Sequence, residues 1–228
     1  MEDRIIKMKY TLFLFVTVLY IAVPCRAMAV SRGTLSVGQK TGDVDLSFGV
    51  DYKMRRVAND NEDADMSTKG FTITGRYDII SSLSIFGDLG FADVSLSNPD
   101  FKGYMGFAYG GGVRLSLPDP HRSRFTVNIG ADLYNVQSGN SVRLANDFEY
   151  AGTIYAAFKN ANTITYGGFE ASNVDLSFTS PNQSYGSKYN VGAMFGMDQF
   201  ITPYVFFNFE VHVFDEQSVE GSIGYTFF

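Results

Sequence analysis

Val44-Asp45-Leu46-Ser47-Phe48-Gly49-Val50-Asp51-Tyr52-Lys53-Met54 alternates without a break: Val44, Leu46, Phe48, Val50, Tyr52 and Met54 fall on one face, Asp45, Ser47, Gly49, Asp51 and Lys53 on the other. A period of two is the period of a β-strand. An ordinary half-buried strand is about 5–6 residues long, whereas a strand that crosses a bilayer at a tilt needs about 9–11. Eleven residues of strict alternation therefore point to a membrane rather than to a soluble sandwich.

The pattern recurs along the chain. Phe71, Ile73, Tyr77 and Ile79 stand against Thr72, Thr74, Arg76 and Asp78; Leu83, Ile85, Leu89 and Phe91 against Ser84, Asp88 and Ala92. Tyr109, Val113, Leu115 and Leu117 then oppose Ala108, Gly110, Gly112, Arg114 and Ser116, and Phe125 to Leu133 repeats the motif after the turn chemistry of Pro118-Asp119-Pro120-His121-Arg122-Ser123. Tyr150, Ile154, Ala156 and Phe158 alternate with Glu149, Thr153, Tyr155 and Ala157. The next segment restarts at Ile164 and Tyr166, and reading both as outward would turn Glu170 and Ser172 to lipid. A charge at mid-depth costs about 2–4 kcal/mol there, so a phase-changing bulge is expected at Gly167-Gly168. Strands from Tyr189 to Met197, from Tyr204 to Phe214 and from Val219 complete the set, the last ending in Ile223-Gly224-Tyr225-Thr226-Phe227-Phe228.

This makes about ten strands, with eight as the fallback. An even number brings both termini to one side, and short connectors near 80–82, 118–123, 160–162 and 198–203 alternate with longer polar ones near 56–69, 96–103, 138–147 and 179–187. That is the arrangement of short periplasmic turns and longer outer loops. The expected fold is all-β: a closed, antiparallel, up-and-down transmembrane β-barrel. Closure is required because hydrocarbon cannot satisfy backbone amides and an open sheet would leave an edge of them bare. Because lipid-facing and lumen-facing residues alternate, the overall hydropathy stays near neutral.

The beginning of the chain gives the compartment. Arg4, Lys7 and Lys9 precede an apolar run from Tyr10 to Val23, and Ala27-Met28-Ala29 offers the small residues that a signal peptidase reads. Residues 1–29 are expected to be a cleaved signal peptide, 30–42 a short periplasmic segment and 43–228 the barrel. Pro24 and Arg26 flank Cys25 unfavourably for a lipoprotein, and the apolar run is short of the roughly 20 residues of a membrane anchor. Cleavage removes Cys25, the only cysteine, so the mature chain would have neither disulfide nor thiolate nucleophile. It also changes the balance from 18 basic and 24 acidic residues to 14 and 22, a net of −8. So acidic a chain argues against nucleic acid as a partner.

Tyr77-Asp78-Ile79 leading into Leu83-Ser84-Ile85-Phe86-Gly87-Asp88-Leu89-Gly90-Phe91, followed by Tyr109-Gly110-Gly111-Gly112-Val113, resembles the small OmpA-like outer-membrane barrels, including opacity-type surface proteins. The terminal alternation departs from the family by landing on Phe227 with Phe228 appended. The resemblance implies an integral protein of the bacterial outer membrane, in contact with its lipid and lipopolysaccharide and inserted by the barrel assembly machinery. It implies no enzyme and no peptidoglycan-binding domain.

The inward face carries the candidate chemistry. Arg76, Asp88, Arg114, Asp132, Glu149, Glu210 and His212, with Asp45 and Asp51, point into a lumen that side chains largely fill at this strand number. They are expected to pair into a charge network, with Thr74 opposite Asp88 and Arg76 reaching Asp88 diagonally. The role that follows is structural, or one of surface interaction through outer loops with an unknown extracellular ligand. The alternative is a narrow channel past an acidic constriction for small solutes or cations. A third reading is a membrane-embedded hydrolase built on His212, which would face Glu220 if Val213 paired with Val219. No motif fixes a nucleophile, no second strand histidine supports a metal site, and no cofactor is implied. Asn59-Asp60-Asn61-Glu62-Asp63-Ala64-Asp65 gathers oxygen ligands of the kind Ca²⁺ takes, but lacks an EF-hand's glycine and terminal glutamate, and reads as a solvated loop.

Overall fold

A computed structural model describes residues 41–60, 62–98, 100–119, 122–179, 182–214 and 216–227. The expected signal peptide, residues 30–40, Asn61, His121, Asp215 and Phe228 lie outside the described residues. Every regular element described is a strand: β1 (Val44–Ala58), β2 (Asp63–Ile80), β3 (Leu83–Leu96), β4 (Phe101–Lys102), β5 (Gly106–Asp119), β6 (Arg122–Gly139), β7 (Leu144–Asn160), β8 (Thr163–Thr179), β9 (Asn182–Ser187), β10 (Val191–Phe200), β11 (Val205–Val213) and β12 (Glu216–Phe227). All but β4 and β9 form a ring, β1-β2-β3-β5-β6-β7-β8-β10-β11-β12, and β12 pairs back onto β1 from Val44↔Phe227 to Arg55↔Glu216. The barrel is closed, antiparallel and ten-stranded.

The lower part of this barrel is inside-out. Outward apolar residues run for nine positions from Phe71 to Ile79, nine from Leu83 to Phe91, eleven from Phe107 to Leu117, nine from Phe125 to Leu133 and eleven from Phe148 to Phe158. These spans match the roughly 9–11 residues of a tilted transmembrane strand. Phe48, Phe71, Phe91, Phe107 and Tyr109 form a continuous ladder of rings along the upper edge of the belt, with successive centroids 5.5–6.3 Å apart.

Several strands are longer than a membrane requires, at 18 residues for β2 and β6 and 17 for β7 and β8. In the excess the polarity of the alternation reverses while the pairing runs on unbroken. On β2, Asp63, Asp65, Ser67 and Lys69 now face out and Ala64 and Met66 are buried inside; on β8, Asn173, Asp175 and Ser177 face out and Val174, Leu176 and Phe178 in. This is the pattern of a soluble barrel with an apolar core.

The circumference also changes. β9 pairs with β8 (Asp175↔Gly186 to Thr179↔Asn182) and with β1 (Val57↔Ser187, Ala58↔Gly186). Above the upper ends of β10–β12, then, eight strands complete the wall. The segments 56–69 and 179–187, expected as outer loops, are in large part strand, because their buried apolar residues point inward rather than to lipid.

The expected bulge at Gly167-Gly168 is absent. β8 pairs continuously with β7 from Asn160↔Thr163 to Ala145↔Phe178 and with β10 from Gln199↔Thr163 to Val191↔Ala171. The phase was inverted instead: Ile164, Tyr166, Glu170 and Ser172 all face the lumen. Tyr166 fits there because Gly196, directly opposite on β10, leaves room for its ring; a Cβ at Gly196 would lie 2.1 Å from it.

Candidate functional site

The interior is layered. Nearest the chain termini, Arg76 on β2 pairs with Asp45, its direct neighbour on β1, and its Nε lies 3.4 Å from Asp78 Oδ1. Thr74 lies directly opposite Asp88, as expected, and donates to it from Oγ1 at 2.5 Å.

In the next layer the Arg114 guanidinium lies between two aromatic rings, 5.7 Å from the Phe86 centroid and 5.9 Å from that of Tyr155, an arrangement in which each ring attracts the cation. Arg114 and Asp132 border a space of about 10 Å³, room for one water, which also touches Tyr155, Met194, Glu210 and His212. Tyr166 donates to Glu210 Oε2 at 2.7 Å and accepts from Asn208 Nδ2 at 2.8 Å; Asn208 also donates to Asp198 Oδ1 at 2.7 Å.

The densest ionic layer sits where ten strands give way to eight. Arg55 Nη2 donates to Glu149 Oε1 at 2.9 Å, to Glu216 Oε2 at 2.5 Å and to Ser172 Oγ at 2.7 Å, while Nη1 reaches Ser187 Oγ on β9 at 3.2 Å. Lys53 pairs with Glu149 and lies 3.4 Å from Glu216 Oε2. His212 Nε2 is 2.6 Å from Glu210 Oε1, and Nδ1 is 3.0 Å from Glu170 Oε2 and 3.8 Å from Glu216 Oε1. All of these side chains are buried except Ser187, which is half-buried.

Over this layer the lumen is mostly apolar, with Asp147 and Ser138 buried at the same level. Val57, Met66, Val94, Leu96, Val136 and Leu176 surround Phe101, Phe178 and Tyr185. The rings of Phe101 and Phe178 pack edge-on at 5.0 Å, and those of Phe178 and Tyr185 at 6.2 Å. Tyr185 keeps its polar end at the rim, donating to Glu62 Oε1 at 2.6 Å.

Of the residues singled out in the sequence, Glu149, Glu210 and His212 meet in the ionic layer. Arg114 and Asp132 lie beside the water-sized space below it, Arg76 pairs with Asp45, and Asp88 accepts from Thr74. Lys53, Arg55, Glu170 and Glu216 were not among the candidates. Arg55 continues the β1 alternation past Met54, and Glu170 follows an unbroken period of two from Ile164. Glu216 shares the parity of Ser218 and Glu220 but lies in a segment expected as a turn. The expected pairing of Val213 with Val219 is shifted by two residues: β12 begins at Glu216, so Val211 faces Val219, His212 faces Ser218 and Glu210 faces Glu220. At the start of β2 the carboxylates are drawn to cations: Asp63 pairs with Lys188, and Asp65 lies 3.7 Å from Arg56 Nε.

No family model and no curated protein matches the chain. Solved structures do. An outer-membrane channel from Pseudomonas putida F1 is similar over 87% of this chain and 100% of that one, with 8% identity and a TM-score of 0.56. The attachment invasion locus protein Ail of Yersinia pestis is matched over 82% of this chain and 99% of that one, with 16% identity and a TM-score of 0.36. The outer membrane protease OmpT from Escherichia coli is matched over 86% and 100%, with 12% identity and a TM-score of 0.42. At these identities the first likeness shows the fold alone. A closed barrel of this fold, girdled by an apolar belt of transmembrane height, is a protein of the bacterial outer membrane.

Proposed function

We propose that this protein is a sealed barrel with a structural or surface-interaction role, carried by its apolar-cored outer head and the loops that crown it. The observation that carries this reading is the packed, largely apolar plug above the ionic layer, with Phe101, Phe178 and Tyr185 at its centre. A polar solute following the lumen would have to displace packed rings and then break a buried ion-pair layer, and each step opposes conduction. Reconstitution into planar bilayers tests it: the folded protein should give no openings, whereas steady unitary conductance would favour the narrow channel.

Burial also weighs against hydrolysis. His212 is 3% exposed beneath the plug, out of reach of an outside substrate, and a His212→Ala variant should leave any hydrolytic activity of the preparation unchanged. The partners that fit this role are outer-leaflet lipid and lipopolysaccharide against the belt, the barrel assembly machinery during insertion, and an extracellular ligand at the head. Kinship with the OmpA-like and opacity-type barrels belongs to the same proposal and is supported by the glycine and aromatic patterns of β2, β3 and β5.

A further inference from the structure

On most of the belt the outward positions carry large side chains, but between β7 and β8 the wall is indented. Ala156 and Gly167 face each other across that strand pair. The groove over them, about 300 Å³ in volume, is walled by Phe125 and Phe158 on the β6–β7 side and by Phe195 on the β10 side. Phe195 lies opposite Gly167, and its ring edge packs against the glycine: a Cβ there would lie 3.0 Å from it. Thr165, directly opposite Phe158, adds a hydroxyl able to donate to a lipid's ester carbonyl. Phe158 and Thr165 stand just before and after the short β7–β8 turn at Ala161-Asn162, so the groove lies in the periplasmic half of the belt.

The rim of the groove sets what fills it. The Phe125↔Phe158 pair places Arg124 and Lys159 side by side, one step nearer the periplasm. The alternation assigns both to the lumen face, but at this last rung the wall ends. Both are exposed, and long cationic side chains at such a boundary extend to the headgroup level. Among the described residues no exposed carboxylate lies on 124–126, 156–166 or 195–204, and Asp198 is buried. Two cations side by side repel each other; a phosphate between them replaces that repulsion with attraction. We infer that this is a site for one anionic diacyl phospholipid of the periplasmic leaflet, its phosphate held by Arg124 and Lys159 and one acyl chain laid in the groove between Phe158 and Phe195. A second copy of the barrel fits worse. Packed face to face by two-fold symmetry, it would bring the same two cations to the same rim, and a groove between rings admits a slender chain more readily than a broad wall.

Phosphatidylglycerol is the probe, and phosphatidylethanolamine, with the same acyl chains and no net charge, is the control. In native mass spectrometry of the delipidated barrel, one phosphatidylglycerol per chain should be retained in preference to phosphatidylethanolamine. Arg124→Gln and Lys159→Gln should each weaken its retention about 5-fold, the attraction of one basic residue to an anionic surface. Ala156→Phe, which fills the groove, should lower retention with the rim charge unchanged. A phosphatidylglycerol carrying a photoreactive group midway along one acyl chain should label the wild-type protein around Ala156, Gly167 and Phe195. The inference is overturned if the wild-type barrel retains the two lipids equally, if the Arg124→Gln/Lys159→Gln double variant or a folded Ala156→Phe barrel retains phosphatidylglycerol undiminished, if labelling spreads evenly around the belt, or if the protein is a dimer that covers the groove. Lipid preference and labelling are read on wild-type protein, so the test survives any variant that fails to fold, and none of these outcomes depends on conductance.

Discussion

Within a single strand such as β6, the lower half turns Ile129 and Leu133 outward and Asn128 inward, while the upper half turns Gln137 outward and Val136 inward. The pairing with β7 runs unbroken through both halves; what differs is the medium outside. The lower wall borders hydrocarbon and keeps its polar groups for the lumen, where they must pair with one another. The upper wall borders water and buries its apolar groups as a soluble protein does. Alternation thus identifies a strand, and its sign identifies the medium.

Four measurements would break or sharpen this contrast. The chain has no tryptophan, so folding is best followed by heat-modifiable gel mobility across a urea series in lipid vesicles. The largest effect is expected at the junction of the two halves. Arg55→Met leaves Glu149 and Glu216 without their guanidinium, and breaking a buried pair in this way costs about 3–5 kcal/mol; a midpoint near the wild-type value would mean that the ionic layer is solvated. Next comes Phe178→Ala in the head. Cavity formation in a packed core predicts a loss of about 3–5 kcal/mol, and a loss well under 1 kcal/mol would show the plug to be loose.

The third is a pair of substitutions on the same face of β6. Ile129→Lys, at the middle of the belt, should lose about 2–4 kcal/mol, while Gln137→Lys, eight residues higher, should stay within about 0.5 kcal/mol of wild type. Equal costs would remove the boundary drawn between lipid and water. The smallest effect belongs to the exposed pair Asp63 and Lys188. The hydrogen bond from Lys188 holds the Asp63 carboxyl below its ordinary value of 3.8. Its contribution is therefore complete above that value and disappears as falling pH protonates the folded form. Proteolysis beside β2 by an acid-active protease should rise below pH 3.8 in wild type and be flat with pH in Asp63→Asn, with barrel unfolding unaffected in both.

The transmembrane strands were legible because lipid imposes one sign on a long run: Val44 to Met54, Leu83 to Phe91 and Phe125 to Leu133 each declare their outward face. The head was not, because Ala64 and Met66, or Val174 and Leu176, follow the opposite sign and look like polar loop when apolar is taken to mean outward. Tyr166 misled for a related reason. Its ring is apolar, but its hydroxyl is satisfied inside by Glu210 and Asn208, and placing it outward hid Glu170, which lies 3.0 Å from His212. Glu216 was concealed by the tightness of the last outer turn. The network's membership depends on long-range neighbours such as Arg55 and Glu149, 94 positions apart, which no local pattern reports.

The bridge that β9 makes between β8 and β1 gives the molecule a front and a back. On the β10–β12 side three strands end near Phe214, which is 81% exposed, and the single strand β9 carries the wall on above them; on the opposite side β2, β6 and β7 themselves run on into the head. Long sugar chains of neighbouring lipids would meet a step on the first side, where three strands give way to one, and a straight polar cliff on the other. Anything approaching sideways along the cell surface would therefore encounter a molecule with a heading, as a harbour has a mouth.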